Sequence, residues 1–178
     1  MSQIARPKKP GAWEVAYSAA MGVACFISYW VSTHVLSGAV EGPSVPLGGM
    51  WAVLATVFVF KDTRAQSLEA GIARLSATLV SFALCLLYLS FFPPSAIGMA
   101  VLIGLGTLVM ISLGRHDNIA TTGITTAVVM VVAIMDPKNA WEQPILRLAD
   151  TIMGIAVGVA CKWLASFLIR RALGESVR

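Results

Sequence analysis

The chain has 178 residues, of which 57% are hydrophobic and only 12% charged, with a formal net charge of +4 and a mean hydropathy of +0.79. A soluble domain carries about 25% charged residues, so this composition excludes an ordinary soluble surface and points to lipid. The basic residues are scattered through short loops and the two ends, which excludes a nucleic-acid face.

The first apolar run follows a basic segment, Arg6-Pro7-Lys8-Lys9. It continues to about Leu36, beyond the roughly 7–15 residues of a secretory signal core, so it is expected to remain as a first helix. A transmembrane helix needs about 20 mostly apolar residues. Six candidates follow in chain order, at residues 14–37, 45–60, 67–91, 95–113, 119–135 and 144–169. Turn-forming residues separate them: Gly42-Pro43 and Pro46, then Lys61-Asp62-Thr63-Arg64, then Pro93-Pro94, Gly114 to Asn118, and Asp136 to Asn139. The three cysteines, Cys25, Cys85 and Cys161, all fall within these apolar runs. They read as small packing residues, forming neither a disulfide frame nor a metal site.

Lys and Arg bias sets the orientation. With the N-terminus in the cytoplasm, that side receives Arg6, Lys8, Lys9, Lys61, Arg64, Arg115, Arg170, Arg171 and Arg178, and the opposite loops hold only Lys138. The expectation is a single transmembrane domain over residues 1–178 with both termini cytoplasmic. Trp13, Tyr17 and Trp163 fall at the inner interface, and Tyr29, Trp30, Tyr88 and Trp141 at the outer one. Trp51 does not fit this aromatic belt; it lies inside the second helix, facing either the core or a cavity.

A short motif occurs twice. Arg74-Leu75-x-x-Thr78 and Arg147-Leu148-x-x-Thr151 lie 73 positions apart, and Gly49 to Asp62 spans the same 13 positions as Gly123 to Asp136. The fold class expected is therefore all-α: a polytopic membrane protein of six transmembrane helices built as a 3+3 inverted repeat, with halves at about residues 13–92 and 95–170. Each half has an odd number of spans, so equivalent positions fall on opposite sides of the bilayer. Arg74 then lies two to three turns in from the cytoplasmic face, and Arg147 near the outer face.

An arginine in a membrane helix is expensive and is kept chiefly when it binds something. A guanidinium with a hydroxyl on the same helix face, as in Arg74 with Thr78 and Arg147 with Thr151, can hold a carboxylate. Thr122 and Thr126 are candidate lining hydroxyls, although threonines in apolar helices also bond to their own backbone. The alternative for Arg74 is snorkelling, or pairing with Glu69 or Asp62. Arg147 and Asp150 have the spacing of an ion pair, and Asp150 is a candidate proton-coupling group, with His34 as a second. Gly154 and Gly158 form a small-xxx-small packing surface, within one subunit or between two. Lys162 reads as a snorkelling cation near the inner end of the last helix. No metal site, cofactor motif or enzyme signature is present: there is no H-E-x-x-H, G-x-S-x-G or phosphate loop.

Trp51-Ala52-Val53-Leu54-Ala55-Thr56, then Leu68 through Thr78, and the run Arg147-Leu148-Ala149-Asp150-Thr151-Ile152-Met153-Gly154 resemble the membrane domain of the fusaric acid resistance, or aromatic acid exporter, family. Ala77 and Ser81 stand where that family usually has glycines. The resemblance covers about residues 50–160 and implies a six-helix unit of a bacterial inner (plasma) membrane that exports organic or aromatic carboxylates and assembles with a second copy. The function expected is efflux of an organic anion, with proton coupling through Asp150 or His34. Two alternatives stand beside it: a passive anion channel formed by a homodimer, and a non-transporting membrane subunit of a larger efflux assembly. The partners implied are the lipid bilayer, a small organic anion and a second copy of the chain.

Overall fold

A computed structural model describes residues 11–36, 44–137 and 140–173. Among these residues it contains six α-helices and no strand: α1 (Ala12–Leu36), α2 (Ser44–Val59), α3 (Arg64–Phe91), α4 (Ala96–Ser112), α5 (Ile119–Met135) and α6 (Glu142–Leu173), with one 3-10 turn, His116–Asn118, leading into α5. The basic residues Arg6, Lys8, Lys9, Lys138 and Arg178, and the Gly42-Pro43 turn, lie outside the described residues.

The helix ends follow local chemistry. Thr63 opens α3 three residues earlier than the apolar pattern indicates. Its side chain accepts from the Gln66 backbone N–H, and Gln66 Oε1 accepts from the Thr63 N–H, each at 3.2 Å, so two otherwise unpaired donors are satisfied reciprocally. The α3 helix stops at Phe91, before Pro93-Pro94, and Ser95 then caps α4 by accepting from the Gly98 N–H at 3.0 Å. At the end of α4, Gly114 takes a φ of 69°, and the Arg115 N–H donates to the Met110 carbonyl at 2.9 Å. Only glycine adopts this left-handed geometry without strain.

Four stretches are long and apolar enough to cross a membrane: Ala12–Val35, Arg64–Phe91, His116–Met135 and Glu142–Leu168. The apolar helices Pro46–Val59 and Ala96–Ser112 are shorter. At 1.5 Å per residue a 17-residue helix such as α4 spans about 25 Å, a little less than a typical hydrocarbon core of about 30 Å.

The packing inverts the soluble pattern. Large apolar side chains such as Phe26, Leu87, Phe91, Ile97 and Met135 point outward. The buried stripe of α3 is instead small and polar: Ser67, Gly71, Arg74, Ala77, Thr78, Ser81 and Cys85. Small residues let the backbones approach closely. A Cβ on Gly154 would collide with the Ala52 carbonyl oxygen, and one on Gly158 would lie 3.3 Å from Thr56 Cα. Thr56 Oγ1 donates to the Gly154 carbonyl at 3.0 Å, stitching α2 to α6. The Gly154 and Gly158 surface is thus used inside the subunit. Helices α1, α2 and α6 pack together as one group and α3, α4 and α5 as another; α6 joins them by lying along α3.

Candidate functional site

Both arginines of the repeated motif face the interior. Arg147 lies in the second turn of α6, and only 2% of its side chain is exposed. Its Nη1 sits 3.2 Å from Asp150 Oδ2, and Asp150 is fully buried. Ser32 of α1 donates to the other carboxylate oxygen, Oδ1, at 3.4 Å. Gly48 of α2 closes the third side: a Cβ there would stand 2.8 Å from Asp150 Oδ1. Three helices therefore enclose one carboxylate. The pairing is electrostatic and leaves hydrogen-bonding capacity over. Arg147 Nε and Nη1, Asp150 Oδ2 and the nearby Gln143 Oε1 are buried without a hydrogen-bond partner.

Arg74 lies deeper along its helix, and 4% of the residue is exposed. Among the described residues no carboxylate pairs with it, in contrast to Arg147. Glu69 and Asp62, its expected alternatives, are both exposed. Aromatic rings of α2 surround it instead. Its Cζ lies 4.6 Å from the centroid of Phe58 and 5.9 Å from that of Trp51. A guanidinium is attracted to a ring face within about 6 Å, but a ring accepts no full hydrogen bond, and Arg74 Nε is left without a partner.

The four hydroxyls are buried, and three of them are engaged. Thr78 Oγ1 donates to the Arg74 carbonyl at 3.0 Å, and Thr122 Oγ1 to the Asn118 carbonyl at 2.9 Å. Thr126 Oγ1 donates to Ser81 Oγ at 3.2 Å, and Ser81 in turn donates to the Thr122 carbonyl at 2.9 Å. Thr151 is buried one residue beyond Asp150. His34 is exposed, stacked on Trp30 with its Nδ1 2.8 Å from the Trp30 carbonyl, whereas Asp150 sits in the interior against Ser32; the two coupling candidates occupy different environments. Lys162 packs against aromatic rings. It is largely buried, with Nζ 4.8 Å from the Tyr17 ring and 5.2 Å from the Phe60 ring, so its charge is held against aromatic faces.

Two open cavities lie at the end of the bundle where α1 and α3 begin. One is lined by Ala65, Glu69, Ala73, Arg115, Asp117 and Asn118. The other is lined by Tyr17, Phe60, Lys61, Asp62, Glu69 and Asp117, among others. Both reach Ala73, the residue before Arg74. The sequence reading did not single out Ser32, Gly48, Gln143 or Phe58. The signal for Gln143 was present, since it lies one turn before Arg147 on the same helix face. The others come from α1 and α2, and nothing near the motif in sequence indicates them.

The sequence model of the fusaric acid resistance protein-like family matches residues 23–161. The match begins within α1 and ends within α6, so it covers both motif copies and all four helices between. No curated protein and no solved structure matches the chain.

Proposed function

From the premise that the chain belongs to the fusaric acid resistance protein-like family, a family of membrane transport proteins, we propose that it exports organic carboxylate anions and that Arg74 is the group that attracts them. The observation carrying this reading is a buried guanidinium that the protein does not neutralise. Leaving a cation unpaired in a low-dielectric interior is costly, and membrane helices keep such groups chiefly along a solute path. A carboxylate arriving beside Arg74 supplies the missing counter-charge.

Arg147 is the second anion-attracting group, and Asp150 couples its availability to protons. While Asp150 is ionised, Arg147 is engaged; protonation of Asp150 releases the guanidinium for the solute. Thr78, Thr151, Thr122 and Thr126 line the path between the two sites, with Thr78 and Thr122 turning their hydroxyls away from the backbone carbonyls they now occupy and Thr126 turning from the Ser81 hydroxyl. The bilayer arrangement is six spans in a 3+3 inverted repeat. The packing supports this: exchanging α1, α2 and α3 with α4, α5 and α6 carries every principal helix contact onto another principal contact. Both termini are cytoplasmic, in a bacterial inner membrane. Tyr17 at the start of α1, Lys61 and Asp62 of the α2–α3 turn and Asp117 of the α4–α5 turn line one cavity. They therefore share one end of the bundle, which also carries Arg64 and Arg115 and faces inward by the positive-inside rule.

A homodimeric passive channel is favoured by one observation. Phe58 is 43% exposed while its ring lies 4.6 Å from Arg74 Cζ. A single ring thus separates the guanidinium from the outer face of α2, where a second copy would pack.

Reconstituted liposomes test both readings. Wild-type protein is expected to carry benzoate faster with an imposed pH gradient than without one. Asp150→Asn should remove that gradient dependence while passive benzoate flux persists. Benzoate flux equal in the two conditions for wild type supports the channel; flux unchanged by Arg74→Gln in folded protein contradicts both.

A further inference from the structure

The two arginines leave different chemistry unsatisfied around them, and the difference identifies a second ligand-binding group. Around Arg147 the unpaired buried atoms include donors and acceptors: the guanidinium N–H groups on one side, Asp150 Oδ2 and Gln143 Oε1 on the other. Water, which both donates and accepts, can complete such a set. Around Arg74 the unpaired atoms are donors. Arg74 Nε has no acceptor, and neither does the indole Nε1 of Trp51, a residue only 2% exposed. The two groups are close, since Arg74 Cζ lies 5.9 Å from the Trp51 ring centroid. A buried indole N–H ordinarily finds a partner, and an unmet donor in the interior is destabilising.

Neighbouring donors with no facing acceptor are completed by a species that only accepts. We infer that the Trp51 indole N–H is the neutral half of a two-donor cradle that holds the carboxylate of the transported anion, with the Arg74 guanidinium as the charged half. The inference rests on the reading of Arg74 as an anion-attracting group and adds a second, uncharged donor from α2. A neutral partner suits transport. A second cation would hold the anion too firmly for release, whereas an N–H adds direction and selectivity without further charge. The cradle favours oxyanions with two acceptor oxygens, one for each donor, over halides. It also places the two donors on adjacent helices, so relative movement of α2 and α3 pulls the cradle apart and weakens its grip.

The test uses benzoate as the probe and the full chain in lipid nanodiscs. Trp51→Phe keeps an aromatic ring and removes the N–H together with part of the indole's bulk. Its expected effect is a rise in the benzoate Kd of about tenfold, the size of one hydrogen bond to a charged group, with Arg74→Gln giving a larger rise. Benzoate affinity unchanged in Trp51→Phe but weakened in Arg74→Gln overturns the role of Trp51 and leaves the Arg74 reading standing. Affinity unchanged in both overturns the Arg74 reading and this inference with it. Should Trp51→Phe fail to fold, wild-type protein decides the matter by indole N–H magnetic resonance, the other four signals being assigned through Phe replacements at Trp13, Trp30, Trp141 and Trp163. Saturating benzoate is expected to move the Trp51 indole signal downfield in wild type and to leave it in place in Arg74→Gln. A Trp51 signal unmoved by saturating benzoate in wild type overturns the inference.

Discussion

The same five-residue motif occupies two places in this bundle and is answered differently in each. In α6, Arg147 meets Asp150 one turn along its own helix at 3.2 Å, and Ser32 steadies the carboxylate from α1. In α3 the position matching Asp150 is Ala77, and Arg74 meets the rings of Trp51 and Phe58. One copy contains its own counter-ion; the other depends on one from elsewhere. A single residue, Asp150 in one copy and Ala77 in the other, separates a paired guanidinium from one without a carboxylate partner.

The largest expected effect breaks the closed pair. Arg147→Met or Asp150→Leu alone strands a buried charge and should lower stability by about 3–5 kcal/mol. The double replacement should recover most of that loss, because two apolar side chains of similar volume leave no charge behind. Thermal unfolding in detergent checks both, and single and double variants unfolding alike would mean the pair is not coupled.

Next in size is the frame behind the pair. Gly154→Ala drives a Cβ into the Ala52 carbonyl, which is backbone and cannot swing aside, so about 1–3 kcal/mol should be lost as α2 and α6 separate. In the other half, a Cβ on Gly106 meets the Thr122 Cγ2 methyl at 3.1 Å. Gly106→Ala should therefore cost less than Gly154→Ala, and a ranking by melting temperature compares the two halves directly.

Arg74→Met is expected to leave stability unchanged or raise it by up to about 1 kcal/mol, opposite in sign to Arg147→Met, because it removes a charge no protein carboxylate pairs with. A loss as large as that of Arg147→Met would place a hidden partner beside Arg74. The smallest effect is a reference. Gly104 has nothing within 4 Å of a built Cβ, so Gly104→Ala should add about 0.5–1 kcal/mol through helix propensity alone, measured on the same unfolding curves.

Much of the architecture was legible in the sequence. Prolines, glycines and charged clusters punctuate the apolar runs, and the six helices begin and end within a few residues of those marks. The exceptions have local causes. The capping box at Thr63 starts α3 early, and α6 runs on to Leu173 past its apolar pattern. The Arg147–Asp150 pair was legible because both partners share one helix at a spacing of three. What completes that site was not: Ser32 stands 118 positions from Asp150, and Gly48 makes room for the carboxylate by having no side chain. The surroundings of Arg74 were hidden for the same reason. Local spacing offered Glu69 and Asp62 as partners, whereas the contacts come from α2, packed across from it. The aromatic contacts of Lys162 were hidden likewise, since Tyr17 belongs to α1 and Phe60 follows α2.

Ligand-induced stabilisation tests most directly the claim that Arg74 awaits an anion. A ligand that binds the folded state raises the melting temperature by mass action. With benzoate added in excess, wild-type protein should melt at a higher temperature, and Arg74→Met should show no such rise although it folds as well or better without the anion. An equal benzoate-dependent rise in Arg74→Met would contradict the account, because the anion would then be held somewhere other than at the unpaired guanidinium.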